Sequence, residues 1–113
     1  MGYESAMRAA GANVLAFRHF GSYQGEWWAL VEFEGKKGFV SGWYGSCEMC
    51  DAFQMEFGYS YDKPNYEERL AEFGRSYLDN IKTQESAIES ASDNLSWDME
   101  AESMVAWLKG FHL

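Results

Sequence analysis

At 113 residues, with 47% hydrophobic and 24% charged side chains, the chain has the make-up of one globular domain and not of a disordered tail. Its net charge of −9 repels phosphate, which disfavours direct binding to DNA or RNA. No apolar run reaches the roughly 18 residues of a membrane-crossing helix, and the opening residues lack a basic region followed by an apolar core, so a cytoplasmic location is expected.

In chain order, the Ala-rich stretch 4–10 followed by Gly11 predicts a short helix with a glycine just past its end. Residues 13–20 are rich in β-formers and predict a strand. In residues 26–34, Trp27, Ala29, Val31 and Phe33 alternate with Trp28, Leu30, Glu32 and Glu34, the pattern of a half-buried strand. Gly35-Lys36-Lys37-Gly38 is expected to turn the chain into a third strand over 37–43, and Gly42 and Gly45 to bend it around Trp43-Tyr44. Met49, Phe53 and Phe57 then recur at four-residue spacing, suggesting a short helix, with a fourth strand as the alternative.

A loop over 58–64 separates the halves. Asn65 and Glu68 have capping-box spacing, and Tyr66, Leu70, Phe73, Tyr77 and Ile81 fall on one helical face. Thr83 is placed to cap a helix carrying Ala87, Ile88 and Ala91. Ser96 is placed to cap another carrying Ala101, Met104, Val105 and Leu108, ended by Gly110. The expected fold is therefore one α+β domain over 1–113, with 1–57 mainly sheet and 65–113 helical: a three- to four-stranded antiparallel sheet followed by three helices, with a short N-terminal helix. The pairs Trp27-Trp28 and Trp43-Tyr44 put an aromatic on each side of the sheet. Either both faces are covered or one shows an aromatic patch.

Charge is unevenly spread. From Thr83 to Leu108 there are six acids, Glu85, Glu89, Asp93, Asp98, Glu100 and Glu102, and no Lys or Arg. The ordinary reading is a solvated helix face; the functional one is a surface that imitates nucleic-acid charge and occupies a basic groove on another protein. Trp28 and Trp43 are the aromatics expected to join it.

Chemistry-bearing motifs are sparse. Cys47-x-x-Cys50 lacks the second pair that a structural zinc needs, since only His19, His112 and Asp51 are left as further ligands. A redox pair would want a βαβ setting that is missing here, so no metal or cofactor is expected and the ordinary reading is one cysteine in the core and one in a turn. Glu26, Glu32, Glu34 and Asp51 could supply a carboxylate pair for acid–base work, but Glu32 and Glu34 fall on the more polar strand face, where solvated carboxylates are the ordinary finding, and spacing alone does not make them catalytic. Neither histidine has a nucleophile in a recognisable order, and there is no G-x-S-x-G, H-E-x-x-H, Walker or G-x-G-x-x-G motif. No catalytic residue is assigned.

The run Gly21-Ser22-Tyr23-Gln24-Gly25, Trp27-Trp28, Gly35-Lys36-Lys37-Gly38-Phe39, Tyr44-Gly45-Ser46-Cys47 and Cys50-Asp51-Ala52-Phe53 resembles small proteins of tailed bacteriophages and prophages. Phe73-Gly74, Tyr77-Leu78-Asp79-Asn80, Thr83-Gln84-Glu85 and Trp97-Asp98 extend the likeness over most of the chain. That resemblance implies a phage context, where small acidic proteins bind and block host machinery, as anti-CRISPR proteins do. The expected function is thus noncatalytic inhibition of a host protein with a basic surface, a nucleic-acid-binding nuclease or effector among the candidates. A self-associating structural accessory that dimerises through its aromatic sheet face is the alternative, and a small zinc protein or enzyme using Cys47 and Cys50 the second.

Overall fold

The computed structural model describes residues 2–21, 25–45, 51–57, 64–93 and 100–113. Within them the chain runs α1 (Tyr3–Ala9), β1 (Asn13–Gly21), β2 (Gly25–Phe33), β3 (Lys36–Tyr44), α2 (Ala52–Phe57), α3 (Tyr66–Leu78), α4 (Gln84–Ser92) and α5 (Ala101–Lys109). The strands form one antiparallel sheet of order β1-β2-β3, so the class is α+β with the sheet before most of the helices. Among the described residues three strands are present and four helices follow the sheet, one more than the three of the expected architecture: the short helix read over 49–57 forms from Ala52, in place of the alternative fourth strand. Met49 lies outside the described residues.

Helices cover both faces of the sheet. On one, α1, α2 and α3 pack Tyr3, Met7, Phe53, Phe57, Leu70 and Leu78 against Trp27, Ala29, Val31, Phe33, Val40 and Tyr44. On the other, Ala87 and Ala91 of α4 and Met104 and Leu108 of α5 pack against Phe20, Trp28, Leu30 and Phe39. This corrects the reading of β2 as half-buried: flanked by a strand on either side and by helices above and below, it is the centre of the molecule. Only Glu32 is exposed along β2.

Local sequence explains most boundaries. Gly11, with φ +102°, takes the left-handed conformation that ends α1 and starts β1. The β2–β3 turn is tighter than expected: Glu34 (φ 50°) and Gly35 (φ 80°) form it alone, while Lys36, Lys37 and Gly38 belong to β3. Both central residues have positive φ, as the twist-matched two-residue hairpin requires. Gly42 does not bend β3 but clears its surface, since a Cβ there would sit 2.8 Å from both the Trp27 and Tyr77 rings.

On α3 the expected stripe of Tyr66, Leu70, Phe73 and Tyr77 faces the core, but the helix ends at Leu78 and Ile81 packs from beyond it. Asn65 does not cap α3 with its side chain; it enters the helix through the left-handed region at φ 69°, which Asn tolerates better than most residues. Thr83 caps α4 as expected, its side chain accepting from the Ser86 N–H at 3.1 Å. Gly110 follows α5 with an ordinary helical φ of −71°, and Ser96 lies outside the described residues.

Candidate interaction surface

The acidic residues of α4 fall where its helical phase puts them. Ala87 and Ala91 are buried, and Glu85 and Glu89 stand about 200° around the axis from them, with Asp93 one further turn along. All three are exposed. On α5, Glu102 is likewise exposed, about 100° around the axis from the buried Ala101 and further from Met104 and Leu108. Ion pairs among the described residues join Arg8 to Glu4, Arg69 to Glu56 and Arg75 to Glu34, and none of them takes Glu85, Glu89, Asp93 or Glu102. Glu85 and Glu102 also lie in first turns, where the helix dipole favours a negative charge.

Two members of the expected set stand apart. Glu100 is half-buried at the N-terminal end of α5, unlike the exposed acids, and its charge adds to burial in raising the pKa of the Tyr44 phenol. Asp98 lies outside the described residues. The aromatics divide as well. Trp43 is 60% exposed at the far end of β3. Trp28 is only 1% exposed beneath α4 and α5, which corrects its assignment to a binding surface. Alternation showed that Trp28 and Trp27 point oppositely but could not show that a second helical layer closes over Trp28.

Cys47 and Cys50 lie outside the described residues. Glu32 and Glu34, considered as catalytic carboxylates, line an open depression of about 300 Å³ that Lys36 and Lys37 share, and Glu34 also reaches Arg75 at 3.4 Å. Such groups are solvated or neutralised by neighbouring cations. His19 is exposed on β1, although its ring packs edge-to-face on Phe17 and Tyr44, and this partial burial lowers its pKa below the ordinary imidazole value.

Asp51, weighed from the sequence as a metal ligand or an acid–base carboxylate, has a different role in the structure. Asp51 is fully buried. Its Oδ1 accepts from the Tyr3 hydroxyl at 2.7 Å and the Gly45 N–H at 3.1 Å, and its Oδ2 accepts from the Gln54 N–H at 3.0 Å. The Tyr3 oxygen in turn accepts from the Phe53 N–H at 3.3 Å. Asp51 and Tyr3 thus satisfy two N–H groups at the start of α2 and join α1, the end of β3 and α2 at one carboxylate. The available signal was an Asp directly before the helical Ala52–Phe57. Every polar atom in this cluster is spent on backbone ends or on its partner, so it serves as a structural tie.

Around that tie the aromatics are closely packed: Tyr3 lies 5.2 Å from Trp27 and 5.9 Å from Tyr77, and Trp27 stacks on Phe17 at 5.2 Å. Burial, with the Asp51 charge adding, pushes the Tyr77 phenol up to about 12, and Tyr3 is raised further, by burial and then by its bond to Asp51. Both stay neutral in the fold, whereas in the unfolded chain they ionise near 10.0. Their contribution is whole below that pH and is lost as pH rises from it towards 12. We expect the thermal midpoint to fall across this window and Tyr77→Phe to lessen the fall; a midpoint unchanged up to the top of the window would contradict it.

No family model matches the chain, and neither curated proteins nor solved structures gave a match.

Proposed function

We propose that this chain is a noncatalytic binding protein of the phage type, which inhibits a host protein by docking the acidic flank of α4 and α5 onto a basic surface. The observation that carries the reading is the row Glu85, Glu89 and Asp93: two on successive turns of α4 and the third at its C-cap, each exposed and in no ion pair among the described residues. Lys82 and Lys109 are the nearest cations in sequence on either side. A run of unneutralised carboxylates at one-turn spacing, about 6 Å apart, approximates the spacing of backbone phosphates and suits a groove built to hold them. Glu102 is a further exposed carboxylate, on α5, and Trp43 offers an apolar anchor of the kind enriched at binding hot spots.

Capture on immobilised protein at low ionic strength tests this. Wild-type chain should retain a basic bacterial protein, and the triple variant Glu85→Gln, Glu89→Gln, Asp93→Asn should lose most of it. Retention should also fall steeply as salt shortens the screening length to about 8 Å at physiological ionic strength. Equal capture by the triple variant, or none by the wild type, would overturn the proposal.

A further inference from the structure

We infer that the outer edge of β1 is a strand-addition site for an extended acidic segment of a partner protein. The two-residue turn makes Phe33↔Lys36 the closing pair of its hairpin, and such a pair exchanges both backbone hydrogen bonds. Alternation from there aims Leu30, Trp28 and Glu26 of β2 at β1, where their partners are Ala16, Arg18 and Phe20. The intervening Phe17 and His19 therefore direct their N–H and C=O groups away from the sheet, while Gly21, at φ +106°, has left the extended conformation.

Two contacts agree with this assignment. The Val14 carbonyl, before the irregularity between Val14 and Ala16, points outward and accepts from the Arg8 guanidinium at 3.1 Å. On the opposite edge of the sheet, Phe39 has the outward orientation and exchanges two bonds of 2.8 Å with Lys82. The edge of β3 is thus partly paired and the start of β1 is capped. Among the described residues, Phe17 and His19 have no pairing strand on that side.

Charge selects the occupant. Arg18 and His19 are exposed, β1 carries no carboxylate, and Arg18 is in no ion pair among the described residues, lying 4.8 Å over the Phe20 ring. A second copy would bring another Arg18 and His19 to the same short edge, setting like charges opposite each other. An extended segment alternating apolar and acidic residues fits instead. Its acids would meet Arg18 on the α4–α5 side, and its apolar side chains the Phe17 and His19 rings on the other, in the manner of β-strand addition.

The test uses a capped eight-residue peptide alternating valine and glutamate, with lysine for glutamate as the control, titrated into the full chain labelled for amide NMR. The Phe17 and His19 amides should shift and become slow to exchange. Arg18→Glu should weaken binding about tenfold, as attraction becomes repulsion. Phe17→Pro, which removes an outward N–H and no bond to β2, should abolish it. The triple α4 variant should bind the peptide as wild type does, which separates this site from the acidic flank. Equal binding of the lysine peptide, shifts confined to other residues, no binding at millimolar peptide, or a dimer in sedimentation that buries the β1 edge would each overturn the inference.

Discussion

Gly74→Ala is expected to cost about 2 kcal/mol of unfolding free energy, and Gly74→Leu to prevent folding. Ordinarily glycine in the middle of a helix is a loss of about 1 kcal/mol relative to alanine, so the exchange should stabilise. Here α1 crosses α3 with its backbone against Gly74: a Cβ would collide with the Ala6 carbonyl and sit 2.6 Å from the Met7 nitrogen. Backbone cannot swing aside as a side chain can, so α1 must lift, and with it Tyr3, Ala6 and Met7 leave the core they fill. Urea unfolding followed by circular dichroism measures this. A Gly74→Ala protein at or above wild-type stability would mean that α1 does not rest on α3.

Asp51→Ala should be the most damaging exchange of a single polar residue, about 3–5 kcal/mol and so a large share of the 5–15 kcal/mol typical of a domain. It leaves the Tyr3 hydroxyl and the Gly45 and Gln54 N–H groups without their shared acceptor inside the fold. Tyr3→Phe removes one donor to Asp51 and one acceptor for Phe53 and should cost less, about 2 kcal/mol. Because the two residues act through one bond, the double variant Tyr3→Phe/Asp51→Ala should lose less than both single losses added. Strict additivity in denaturant unfolding would show that the two do not act as a unit.

The acidic flank was legible in the sequence to the extent that helical phase decides it. Glu85, Glu89 and Asp93 follow from four-residue spacing against Ala87 and Ala91, and the Thr83 cap from a side chain acting on an N–H three residues on. Glu100 was misread because it sits at the start of α5, where orientation depends on how the chain enters the helix and on the nearby Tyr44, not on the phase of later residues. Trp28 was misread for a related reason. A strand's alternation separates its two sides without saying what lies over either.

What the sequence determined by itself was local: the three strands, the core-facing stripe of α3 and the run of carboxylates on α4, all of which repeat with the period of their own backbone. The tertiary structure alone decided that α4 and α5 close over Trp28, that Gly42 makes room for Trp27 and Gly74 for α1, that Lys82 pairs with Phe39, and that Asp51 binds Tyr3 from 48 residues away. These contacts join segments far apart along the chain, and their energies come from burial and hydrogen bonding between partners that no local period relates.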